Sequence, residues 1–185
     1  SYVDAVSSGL DLKESSHAAT TANLSSAYNN GASGVGATLT NNSTQAALTV
    51  DGQLMVADER LLVKDQTAAL QNGIYTVTAT GSGAAVFVLT RTTDFDSTTE
   101  VTSGAFTFIE TGTTNADSGW VMTTDGSITI GTTALAFAQF SGAGQITAGT
   151  GLSKSGNTLS VDAAQTQITS VGTFGTGVWQ GTAVA

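Results

Sequence analysis

The sequence predicts an all-β protein, a small antiparallel barrel or sandwich, and three observations carry that expectation. Charged residues make up only 10% of the 185 positions, against about 25% in ordinary soluble domains. Thr, Ser, Gly, Asn and Ala fill the space: β-branched threonine favours strands, while glycine and asparagine supply turns. Short apolar runs also recur about every ten residues between turn signals, and the chain has no proline to interrupt a ladder.

Taken in order, residues 1–18 read as an N-terminal helix and linker. Tyr2, Val3 and Val6 lie at helical spacing, and Gly9 is a stop signal. A helix that short is marginal in water, so it needs something to pack on. Residues 19–141 read as a β-rich globular module. Its first part, 19–47, is low in complexity and rich in Gly and Asn, which suggests a long loop or weak strands. The Asn23 and Asn42 triplets have the glycosylation pattern, but such triplets arise by composition alone in Asn/Ser/Thr-rich sequence.

The pattern sharpens at residue 48. Asp51-Gly52 in LTVDGQLMV is a type I′ hairpin signal. RLLVKD predicts a short strand, and Asn72-Gly73 opens an alternating run through Ile74, Tyr75 and Val77. AVFVLTRT at 85–92 predicts an apolar strand, and FTFIETG continues the series. Asp125-Gly126 in GWVMTTDGSITIG predicts another hairpin, and Leu135, Phe137 and Phe140 mark a last strand. Residues 142–185 predict a β-hairpin turning at Ser155-Gly156-Asn157, followed by an extended, shaft-like segment. Leu152, Leu159 and Val161 are available for burial in the hairpin. Ile168, Val171, Phe174, Val178 and Trp179 are too few anchors for an independent fold. Sister chains that share a core would solve that deficit. Both ends read as interior to a longer polypeptide.

Charge narrows the function classes. The net charge is −9, and the five cations Lys13, Arg60, Lys64, Arg91 and Lys154 are scattered. Nucleic acid or anionic lipid would call for clustered cations. No apolar run approaches the roughly 20 residues of a membrane span. Without cysteine there is neither a disulfide nor a thiolate metal site.

Four candidate sites arise. His17 is the one histidine and stands beside Ser15 and Ser16 without nucleophile-elbow glycines, so a solvated loop histidine is favoured over a triad. Asp94, Asp96 and Glu100 form the densest carboxylate group. DFDSTTE lacks the glycine and further ligands of a calcium loop. A glycosidase pair would want an aromatic cleft, and aromatics are only 6%. Asn115, Asp117 and Trp120 in NADSGW could form a receptor-contact platform for a sugar. The favoured reading is an Asx-type turn leading a buried tryptophan into a strand. Trp179 reads as a packing anchor between chains. No phosphate loop, catalytic constellation, cofactor or metal site is expected.

Five segments together resemble tail-fibre and minor tail proteins of tailed bacteriophages. They are YVDAVSSGLDLKES at 2–15, LLVKDQTAALQNGIYTV at 61–77, GTTNADSGWVMTT at 112–124, TTALAFAQFSGAGQITAGTGLSKSGNTLSV at 132–161 and GVWQGTAVA at 177–185. A glycine-rich insert at 23–47 departs from that pattern by its length. The resemblance implies a non-enzymatic homotrimeric appendage of the virion tail that contacts other tail or baseplate proteins and supports host attachment, with a host surface glycan as a further partner. Two alternatives remain open: a carbohydrate- or receptor-binding module with contacts at 23–47 or near Trp120, and a bacterial extracellular fibre or surface-layer protein.

Overall fold

The computed structural model describes residues 11–141, 146–155 and 158–170, and the chain divides into two units, Ser1–Gln145 and Ile146–Ala185. The fold is all-β. The expected helix over 2–9 lies outside the described residues. What is described of the 1–18 segment is extended: β1 (Asp11–Leu12) and β2 (Ala18–Ala19) belong to the sheets of the first unit.

The first unit is a sandwich. Its larger sheet has six strands in the order β2-β7-β8-β9-β4-β3, with β3 at Ser26–Asn29, β4 at Thr38–Asn41, β7 at Arg60–Val63, β8 at Gly73–Ser82 and β9 at Ala85–Arg91. The smaller sheet runs β1-β10-β11-β12, with β10 at Ala105–Ile109, β11 at Ser118–Met122 and β12 at Phe137–Ser141. A separate hairpin joins β5 (Thr49–Val50) to β6 (Gln53–Leu54).

Strand alternation divides the apolar side chains between two cores. Leu61, Val63, Tyr75, Val77 and Leu89 point to one face of the large sheet, where Leu48, Val50 and Met55 cover them. Ala19, Leu62 and Ile74 point to the other face and meet Ala105, Ile109 and Met122 of the small sheet. Phe95, Val101, Ile128, Ile130 and Leu135 fill the space between. The large sheet is thus buried on both sides along β2, β7 and the start of β8, so Leu61, Leu62 and Val63 read as a continuous apolar run.

Two pairings are not antiparallel: β1 runs parallel to β10, and β2 parallel to β7. Hydrophobic pattern carries no information on strand direction. The linking stretch laces the sheets together. Ser16 N–H donates to Phe108 O at 2.8 Å on the small sheet, and His17 N–H donates to Arg60 O at 2.8 Å on the large one.

The low-complexity region is ordered as the β3–β4 edge hairpin. Asp51-Gly52 makes the expected turn, both residues having positive φ (+49° and +80°). Asp125-Gly126 does not. Only Gly126 of that pair is left-handed, and residues 127–136 form no strand. Burial of Ile128 and Ile130 in the second core holds that stretch in a wide loop, and β11 pairs instead with β12. The Thr124 side chain closes the loop, with its hydroxyl accepting from Ala136 N–H at 2.8 Å.

In the second unit, β13 (Leu152–Ser155) and β14 (Thr158–Val161) form the expected hairpin; its turn residues Gly156 and Asn157 lie outside the described residues. The register Leu152↔Val161 and Lys154↔Leu159 sets these four side chains on one face. Leu152, Leu159 and Val161 were available for burial, yet all three are exposed, as is Ile168. Val171, Phe174, Val178 and Trp179 lie outside the described residues.

Candidate functional site

The three residues of the proposed receptor platform have different surroundings. Asn115 is buried. Its backbone N–H and its Nδ2 both donate to Asp51 Oδ2, at 2.8 and 3.0 Å, and Thr114 N–H donates to Asp51 Oδ1 at 2.9 Å. The β5–β6 turn is therefore clamped onto the loop before β11. The approach is close: a Cβ on Gly112 would stand 2.3 Å from Asp51 Oδ2. Asp51 read in the sequence only as a turn former. No local signal marks its partner 64 residues away.

Asp117 is exposed and left-handed, with φ at +55°. The Ser118 hydroxyl donates back to Asn115 O, and Trp120 Nε1 donates to Ser118 Oγ at 2.9 Å. Trp120 is half-buried against the second core, and Lys64 Nζ lies 4.3 Å above its ring. Lys64 also pairs with Asp65 at 2.9 Å. One face of the indole thus carries an ammonium group, and the Asn115 side chain is committed to Asp51. Asp117 and part of the indole remain open to solvent.

His17 lines a cleft of about 570 Å³ with Glu14, Ser15, Asp58, Glu59, Arg60 and Glu110. Its Nε2 lies 3.6 Å from Glu59. The Ser15 hydroxyl donates to Glu110, and the Ser16 hydroxyl pairs with Thr107 at 3.1 Å, so both hydroxyls are engaged away from the imidazole. A triad needs the nucleophile within hydrogen-bond reach of its base.

The carboxylates of DFDSTTE diverge in role. Asp94 takes a two-pronged grip from Arg60, at 3.1 and 2.9 Å. Burial alone would raise its pKa, but hydrogen bonds from Arg60 and Thr92, with the Arg60 charge, outweigh it and hold the group below the usual carboxylate value. Asp96 is shifted up, first by burial and then by the charge and hydrogen bond of Glu100. Glu100 accepts from Ser97 Oγ at 2.7 Å. Among the described residues, no group of three or more His, Asp or Glu is placed to hold a metal ion.

A second recess runs beside β3 and β4. It has a volume of about 240 Å³, and Asn23, Ser25, Asn41, Ser43, Thr44, Leu48 and Phe87 are among the residues that line it. No helix among the described residues is long and apolar enough to cross a membrane. The chain matches no protein-family model, no curated protein and no solved structure.

Proposed function

We propose that this chain is a structural, non-catalytic part of an elongated assembly of the phage tail-fibre type, built from copies of itself and serving host attachment. The observation that carries the reading is the β13–β14 hairpin. Leu152, Leu159 and Val161 share one face with Lys154, while Ser153, Ser155, Thr158 and Ser160 take the other. That face is exposed in a lone chain. Two-stranded ribbons are marginal in water without a further apolar layer, and sister hairpins supply one. The resemblance of five ordered segments to tail-fibre proteins adds a homotrimer located in the virion tail, with other tail or baseplate proteins as neighbours.

The test is native mass, measured before and after heating. The expected particle has three times the 18.5 kDa chain mass and persists until an irreversible transition. A reversible 18.5 kDa monomer overturns the reading. An open filament of indefinite length would favour the bacterial extracellular fibre or surface-layer alternative.

One observation supports the glycan-binding alternative, and it lies at 23–47 rather than at Trp120. The neutral recess is lined by Asn23, Ser25, Asn41, Ser43 and Thr44 together with Leu48 and Phe87, a mixture of polar and apolar groups suited to a sugar, although Asn23, Asn41 and Ser43 already hydrogen-bond within the chain. Glycan-array binding lost on Thr44→Ala, with melting unchanged, would establish it.

A further inference from the structure

The outer face of the small sheet is apolar and uncovered. Cross-strand register sets Leu12, Phe106, Val121 and Ala138 in a row across all four strands. Phe108 and Phe140 point to the same side, two positions along β10 and β12. Phe106 and Phe140 meet edge to face with centroids 6.0 Å apart. Leu12 is 72% exposed, Phe140 61% and Phe108 40%. Three of the chain's seven phenylalanines thus lie on one solvent face.

We infer that this face is an interface between copies of the chain. The inference rests on the self-associating reading above and assigns it a specific surface in the first unit. Two arguments select a second copy as the occupant. The first is area. At about 200 Å² per aromatic, the exposed fractions leave on the order of 400 Å² of apolar surface. That is within the range of about 300–600 Å² for the largest patch on a monomer, a kind of patch that is often functional. A standard interface buries about 800 Å² per partner, a little over half of it apolar, so the patch supplies nearly the whole apolar share.

The second argument is charge. Each chain carries −9, so two copies repel over most orientations. None of these six side chains is ionisable; exposed carboxylates, Glu14 and Glu110, stand only at one end of the face, so repulsion is low over its Phe106–Phe140 centre. A basic partner would gain nothing from it. A sugar would find phenyl rings without the polar partners that fix its orientation.

Because the chain has no cysteine, single-cysteine variants report on this face cleanly. Phe140→Cys is compared with Thr132→Cys, an exposed loop control, in the full chain, with thiol labelling rate and light-scattering mass read on the same samples. The expected result is an assembly in which the Phe140→Cys thiol reacts about tenfold more slowly than the control thiol. Phe108→Ser/Phe140→Ser should weaken association by roughly 30-fold while the far-UV spectrum stays native. An assembly in which both thiols label equally and the double variant associates normally overturns the inference and leaves the self-associating reading standing. A monomer whose Phe140→Cys thiol is reactive overturns both. A monomer in which that thiol is protected overturns both as well, and assigns the cover to another part of the same chain.

Discussion

Asp51 Oδ2 accepts from both the backbone N–H and the side-chain amide of Asn115, which pins the β5–β6 turn to the loop that leads into β11. Hydrogen bonds to a charged acceptor are each worth about 1.5–3 kcal/mol. Asp51→Gly keeps the left-handed turn and removes only the carboxylate. It should cost about 2–3 kcal/mol and lower Tm by several degrees, with Asp51→Asn falling between it and the native chain. Thermal melting of the three proteins checks the order. An unchanged Tm for Asp51→Gly would mean that the clamp contributes nothing.

Asn72 is a second polar tie. Buried after the 3-10 turn Ala69–Gln71, it accepts from Gln66 N–H at 2.9 Å and donates to Lys64 O and Leu135 O at 3.1 and 2.8 Å. Asn72→Ala strands one donor and two acceptors inside the protein, at about 1–3 kcal/mol for each buried group without water. The expected loss is at least about 3 kcal/mol in urea unfolding, with the m-value unchanged.

How much of this was legible follows from the range of each cause. Asp51-Gly52 was legible because the turn depends on two adjacent residues and on φ. Asp125-Gly126 has the same dipeptide and fails, because the packing of Ile128 and Ile130 lies outside any local window. The strands of 60–63, 73–82, 85–91, 105–109 and 118–122 follow from β-forming runs. The parallel pairings of β1 and β2 leave no mark on side-chain alternation. At the site, Asn115 and Trp120 stood out by residue type, whereas Asp51, Ser118 and Lys64 enter only through contacts that the fold creates.

Asp94 and Asp96 should respond to pH with opposite signs. The Asp94 pKa is lowered, so its stabilisation is present above the ordinary value of 3.8 and fades as pH falls through the depressed folded value. The Asp96 pKa is raised, so its contribution is present below 3.8 and is lost as pH rises through the folded value. At pH 7, Asp94→Asn is expected to lower Tm and Asp96→Asn to raise it. The Asp96 difference should shrink as the pH falls to 3.8, and the Asp94 difference only below it. Melting curves across that window decide it, and the same sign for the two variants at pH 7 would refute the assignment.

Arg91 is the most deeply enclosed charge among the described residues, and its hydrogen-bond partners are neutral. Nη1 donates to Asn72 O and Nη2 to the Tyr75 hydroxyl, both at 3.0 Å, while the guanidinium lies 4.9 Å from the Tyr75 ring centroid. The Tyr75 hydroxyl passes the chain on to Gln71 O at 2.6 Å. Burial pushes that phenol well above its ordinary pKa, so it stays a neutral donor and acceptor. Tyr75→Phe takes one acceptor from a buried cation and one donor from Gln71, and should cost about 2–3 kcal/mol. Gly73→Ala should cost more. Its φ is +150°, and the new Cβ would stand 2.0 Å from Nη1, displacing the guanidinium itself. If Tyr75→Phe unfolds at the native urea midpoint, the cation finds its compensation elsewhere, and the Gly73–Arg91–Tyr75 arrangement is not what holds β8 to β9 at this end of the sheet.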